Sequence, residues 1–146
     1  MALLFAEIPA RYLDSKKEYE EAIRLNPNFT QAHNNYGALL ATLKGYGKEA
    51  EKEYKIALSL EPNYAEAHNN LGNLYSQTKD THLLAIAEYK EALKRLPNSF
   101  AVHFNLAVQL EKDAATQTEA RAEYREALRL NPAFTPAEEA VKRLSR

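Results

Sequence analysis

A 35-residue period constrains this chain more than any other feature in it. Tyr19, Tyr54, Tyr89 and Tyr124 stand 35 residues apart, as do Pro27, Pro62, Pro97 and Pro132. The same interval relates Ala22, Ala57, Ala92 and Ala127, and also Leu58, Leu93 and Leu128, with Ile23 in the first copy. The segment EAHNNLGNLY, Glu66 to Tyr75, has a near twin in QAHNNYGALL, Gln31 to Leu40, and a more divergent copy in AVHFNLAVQL, Ala101 to Leu110. Registers kept in step across 146 residues mean one unit used repeatedly. Such a unit cannot bury its apolar face alone, so neighbours must stack.

Each unit reads as two helices. From Thr30 to about Lys44, the residues Ala32, Tyr36, Leu39, Leu40 and Leu43 fall within about 60° of one direction at helical spacing. A second helix, about Lys48 to Leu60, sets Ala50, Tyr54, Ala57 and Leu58 on one face before Leu-Glu-Pro-Asn stops it. Gly45-Tyr46-Gly47 breaks the chain between the two helices, and the later copies break at Thr78 to Thr81 and near Ala115 to Thr118. Connections this short make the paired helices antiparallel neighbours. Only four glycines and six prolines interrupt a composition dominated by good helix formers. Gly37, Gly72 and Ala107 permit close helix approach, and the rings of Tyr54, Tyr89 and Tyr124 fill the space between hairpins.

The run His68-x-x-Leu71-Gly72-x-x-Tyr75, then Ala85-x-x-x-Tyr89, then Pro97, resembles the tetratricopeptide repeat (TPR) family. Histidine stands where that pattern usually has tryptophan, and tyrosine where it has phenylalanine. The family period is usually 34, and the extra residue here falls in or beside the turn within each hairpin. The resemblance implies an all-α fold, a right-handed α-solenoid of antiparallel helix hairpins forming a TPR-like superhelix. A single domain over 1–146 is expected, with a partial repeat at 1–28, full repeats at 29–63, 64–98 and 99–133, and a capping helix at 134–146. In that helix Phe134, Ala137, Val141 and Leu144 face inward, and Glu138, Glu139, Lys142 and Arg143 face water. At the other end, MALLFAEI leaves Met1, Leu4, Phe5 and Ile8 without a preceding helix. Three readings fit that edge: a fragment of a longer array, self-association through the uncapped edge, or a segment that folds back.

Composition excludes several functions. Lys plus Arg number 19 against 20 Asp plus Glu, a balance that argues against a general grip on nucleic acid or acidic membrane. Cysteine is absent, which removes disulfides, thiolate metal sites and a cysteine nucleophile, and fits a cytoplasmic location. No apolar run reaches the length of a membrane span, and the start lacks the basic leader of a secretory signal. His33, His68 and His103 repeat at the same 35-residue period, but equivalent helices lie at least ~8–10 Å apart, too far for one zinc ion. These histidines are expected to pack at the edge of the core with one hydrogen bond each. No phosphate loop, catalytic triad or HExxH appears, so no catalytic site, cofactor or metal site is expected.

The asparagines remain. With the core direction of the first helix at 0°, Asn34 falls near about 160°, on the face turned away from that core. The resemblance implies that first helices line a concave groove that takes extended peptides or partner helices. Equivalent slots hold Asn34, Asn69 and Phe104; Asn35, Asn70 and Asn105; Ala38, Asn73 and Val108. The asparagines Asn34, Asn35, Asn69, Asn70, Asn73 and Asn105 together cost on the order of 3–4 kcal/mol in helix propensity. That is appreciable beside a net stability of roughly 5–15 kcal/mol. A carboxamide can bond both the N–H and the C=O of one peptide unit. By resemblance to TPR superhelices with an asparagine ladder, Asn35, Asn70 and Asn105 match the ladder, with Asn34, Asn69 and Asn73 as added contacts. The alternative is that these amides tie helix to helix. Phe104 and Val108 form an apolar patch that either receives a ligand side chain or packs on the capping helix. The groove lacks the Lys and Arg of the chaperone-tail clamp.

The expected function is therefore a non-catalytic scaffold for a protein or peptide partner. An RNA-binding pentatricopeptide-like repeat, which shares the 35-residue period, and a purely structural or self-assembling spacer are the alternatives.

Overall fold

A computed structural model describes residues 10–145. Its helices are α1 (Ala10–Leu25), α2 (Thr30–Ala41), α3 (Gly47–Leu60), α4 (Ala65–Tyr75), α5 (His82–Leu93), α6 (Phe100–Leu110), α7 (Gln117–Leu130) and α8 (Thr135–Arg143). No strand occurs among the described residues. The apolar run Met1–Ile8, and with it the proposed uncapped edge, lies outside the described residues. The chain divides into two compact units, Met1–Ala67 and His68–Arg146.

In the first unit α1 packs on α2, and α2 pairs with α3. The hairpin closes over Ala32, Tyr36, Leu40, Ala50, Tyr54 and Ala57, all nearly inaccessible. Gly37 has a steric cause: a Cβ there would lie 2.8 Å from Tyr54 Cε1 and 3.2 Å from the Ala50 carbonyl oxygen. The Tyr19 and Tyr36 rings stack with centroids 6.1 Å apart. Tyr36 donates to Glu20 Oε1 at 2.9 Å, and Lys16 approaches the same carboxylate at 2.6 Å. Burial, with the Glu20 bond second, pushes the Tyr36 phenol up to about 12.

The repeated prolines close the turns between hairpins. Phe29 N–H donates to the Asn26 carbonyl at 3.1 Å around Pro27, and Tyr64 N–H to the Glu61 carbonyl at 3.0 Å around Pro62. The second unit repeats this as Ser99 to Leu96, 3.1 Å, and Phe134 to Asn131, 3.0 Å, around Pro97 and Pro132. Proline suits the second position of such a turn because its φ is already fixed and its missing N–H is not needed there. Within the hairpins the breaks differ. Gly45 turns the first with φ 91°, a left-handed value that favours glycine. The other two use single 3₁₀ turns at Lys79–Thr81 and Ala114–Thr116. There the Thr81 hydroxyl donates to the Tyr75 carbonyl and the Thr116 hydroxyl to the Leu110 carbonyl, each at 2.5 Å. In each case a carbonyl at the end of a helix accepts from a hydroxyl of the turn that follows it.

In the second unit α6 packs on α5 and α7, and α7 on α8. Tyr89 and Tyr124 sit in the core at 1% and 2% exposure. A Cβ at Gly72 would lie 2.8 Å from Tyr89 ring carbons, whereas Ala107 fits fully buried in the cluster that holds Tyr124. Helix α8 buries Ala137 and Ala140, with Phe134, Val141 and Leu144 packed around them. Ala140 joins the inward set expected from the sequence. Arg143 grips Glu111, which caps the C-terminal end of α6, with Nη2 at 2.5 and 2.7 Å, and Tyr124 donates to the same carboxylate at 2.7 Å. This forked contact pins the last helix to α6 as well as to α7.

Candidate functional site: the amides of the first helices

Asn34 and Asn35 lie in the first unit, on α2. Asn34 is only 5% exposed, and its Nδ2 donates to Asn35 Oδ1 at 3.3 Å. Asn35 is half-buried. The angle that turned Asn34 away from its own hairpin core does not leave it open to solvent.

The remaining candidates lie in the second unit. Asn69, Asn70 and Asn73 project from α4, and Phe104, Asn105 and Val108 from α6. Asn73 is exposed, and Asn69, Asn70 and Asn105 are half-buried. Two donors converge on Asn73 Oδ1: the Tyr89 hydroxyl at 2.8 Å and Asn105 Nδ2 at 3.2 Å. Burial raises the Tyr89 phenol above its ordinary range, partly opposed by a hydrogen bond from Ser76, so it holds its proton as a donor. Asn69 differs: its Oδ1 is buried and has no hydrogen-bond partner. An unsatisfied buried acceptor costs roughly 1–3 kcal/mol.

Phe104 stands where the earlier copies have Asn34 and Asn69, and its surroundings explain the change. It meets Phe134 edge-on at 4.9 Å and Tyr124 at 5.5 Å, while Phe100 meets Phe134 at 5.1 Å. Phe104 and Val108 are half-buried against the cluster that holds α8. Both side chains thus pack against the cluster that includes Ala137 and Ala140 of α8.

The histidines are engaged by partners the sequence reading missed. His33, His68 and His103 each place Nδ1 2.6 Å from a glutamate twenty residues on, namely Glu53, Glu88 and Glu123. His33 Nε2 also donates to the Pro27 carbonyl at 3.0 Å, and His103 Nε2 to the Pro97 carbonyl at 2.9 Å. These two rings therefore make two hydrogen bonds where one was expected. The signal was present in the sequence, since a glutamate recurs at that offset from every repeated histidine. Among the described residues no cluster of His, Asp and Glu could hold a metal ion, and no helix is long and apolar enough to cross a membrane.

Residues 42–79 match the TPR repeat family model, and residues 65–98 match the tetratricopeptide repeat model. No curated protein matches the sequence. Among solved structures, a crystal structure of MamA is 16% identical with a TM-score of 0.81, over 91% of this chain and 76% of that one. MamA 41-end from Desulfovibrio magneticus RS-1 is 18% identical with a TM-score of 0.82, over 92% and 75%. YrrB, described as a TPR protein with an unusual peptide-binding site, is 24% identical with a TM-score of 0.77, over 84% of this chain and 62% of that one. At these identities the likeness is one of fold.

Proposed function

This chain is built of tetratricopeptide repeats, and from that premise we propose that it is a non-catalytic scaffold. It binds an extended peptide or partner helix along the amide-bearing face of its first helices. The observation that carries this reading is the cost of that face. Asn69 keeps a buried acceptor without a partner in a helix interior, where an apolar residue would be more stable. The third copy makes that apolar choice with Phe104, where α8 covers the slot. A ligand can reach the exposed Asn73 and the half-buried Asn70 and Asn105, and the cost of keeping asparagine in these helices is accounted for when it uses them. The peptide-binding site in YrrB, which shares the fold, supports the same kind of use.

The test uses a display library of random peptides of about twelve residues, roughly 40 Å when extended. Peptides selected on the whole chain are measured against the variant carrying Asn35→Ala, Asn70→Ala and Asn105→Ala. The reading requires that the variant fold and lose most of the affinity. Undiminished binding refutes the amide face as the site. A loss of several kcal/mol in stability instead assigns the amides to the fold.

A further inference from the structure

We propose that the lysine-bearing face of α3 is a docking surface distinct from the amide face, and that it takes an acidic helical segment of a partner protein whose apolar side seats on Ile56. The observation behind it is a departure from the repeat. At one slot the other copies carry an ion pair along the helix. Glu21 is bound by Arg24 at 2.6 and 2.7 Å, Glu91 by Lys94 at 2.6 and 2.7 Å, and Glu126 by Arg129 at 2.7 and 2.9 Å. The same period puts Ile56 and Ser59 in that slot of α3. What stacking requires recurs in every unit, so a feature held by one unit alone points to a use outside the fold.

The lysines are peculiar to this copy as well. Lys48, Lys52 and Lys55 correspond to Leu83, Ala87 and Lys90 in one later copy and to Thr118, Ala122 and Arg125 in the other. Residues three and four apart share a helix face, so the three cations form one stripe that runs to Ile56. With Glu51 and Ser59 they border an open cleft of about 380 Å³, within the roughly 300–1,000 Å³ of ligand pockets. The three lysines are exposed and Ile56 is half-buried. Lys55 is bound to Glu51 at 2.6 Å. Lys48 and Lys52 have no hydrogen bond or ion pair among the described residues, so two cations are left to meet an anion.

This chemistry selects the occupant. Two ammonium groups one turn apart match carboxylates one turn apart on a facing helix, and Ile56 beyond them needs an apolar counterpart. Glu49 and Glu51 interrupt the stripe and repel a continuous polyanion, whereas single carboxylates can be placed between them.

The test is a display library of helical peptides randomised on one face, depleted on the variant Ile56→Glu with Ser59→Lys and then selected on the whole wild-type chain. That variant writes the ion pair of the other copies into α3, so it keeps its fold and melting temperature. The surviving peptides should carry Asp or Glu flanking Leu, Ile or Phe. Lys48→Gln with Lys52→Gln should weaken them roughly tenfold and reduce their salt dependence. The variant with Asn35→Ala, Asn70→Ala and Asn105→Ala should hold them at full affinity, which separates this surface from the amide face. Lys48→Glu with Lys52→Glu should bind again when the peptide's acidic residues are changed to lysine. The proposal is overturned if depletion leaves no binder, or if the survivors show no acidic preference. It is overturned too if the glutamine variant binds as tightly as the wild type, or if the folded alanine variant loses the peptides. Binding of phosphatidylserine vesicles or a single-stranded oligonucleotide to the wild type and not to the depletion variant, with no peptide selected, would assign the face to a polyanion instead.

Discussion

Replacing Glu53 by alanine should destabilise the first unit by about 2–3 kcal/mol. Glu53 Oε2 lies 2.6 Å from His33 Nδ1, and the side chains are 14% and 5% exposed. The ring cannot turn away to find another partner, because Nε2 already donates to the Pro27 carbonyl at 3.0 Å. With that nitrogen committed as a donor, a proton must lie between Nδ1 and the carboxylate. Hydrogen bonds to charged groups contribute about 1.5–3 kcal/mol, and a buried polar group left without its partner adds a desolvation penalty. His33→Ala should also be costly, through lost packing and lost bonds, but it leaves Glu53 free to reach water. The double variant should therefore cost less than the sum of the singles, with a coupling of about 1.5–2 kcal/mol. The equivalent cycle at His103 and Glu123 should give a smaller value, because those side chains are 12% and 23% exposed and solvent screens them. Urea unfolding followed by circular dichroism gives the four stabilities of each cycle. Amide exchange in α2 and α3 checks whether the loss is local, since repeat arrays need not unfold in one step. A coupling below about 0.5 kcal/mol at His33–Glu53, or a larger one at the more exposed pair, would refute the reasoning.

Gly72→Ala should cost about 1 kcal/mol, because overpacking against Tyr89 at 2.8 Å outweighs the gain in helix propensity. Ala107→Gly should also lose about 1 kcal/mol, since the methyl already fits there, and denaturant midpoints of both variants check the pair. Asn69→Leu should raise stability by about 1 kcal/mol in the same assay and should lower peptide affinity, a trade expected of a residue kept for binding. Burial pushes the Tyr54 phenol up to about 12, so the folded chain keeps a proton that the unfolded chain releases near pH 10. Stability from this group is complete below pH 10 and is lost as the pH rises toward 12, so Tyr54→Phe should flatten alkaline unfolding in that window. Tyrosine ionisation followed by ultraviolet absorbance should show this phenol titrating only as the structure opens.

The sequence by itself determined the repeating unit. The interval between Tyr54 and Tyr89, or Pro62 and Pro97, is a statement about packing, because a side chain recurs in register only when the same neighbour recurs with it. The helix pairs, the buried Ala-Tyr-Ala faces and the proline turns were all legible on that basis, since helical spacing fixes the direction in which each residue leaves its helix. Direction does not say what lies opposite. Asn34 and Asn69 occupy the same slot, yet one is nearly inaccessible and the other only half-buried. Phe104, in that slot again, is held by Phe134 thirty residues on, a contact that depends on where α8 comes to rest. The bonds from Tyr89 and Asn105 to Asn73 join residues 16 and 32 apart in sequence. A hydrogen bond is made or lost within a few tenths of an ångström, and that distance is set by how whole helices seat against one another. For this reason periodicity yielded the repeating helices, and tertiary packing alone decided which amides are used internally.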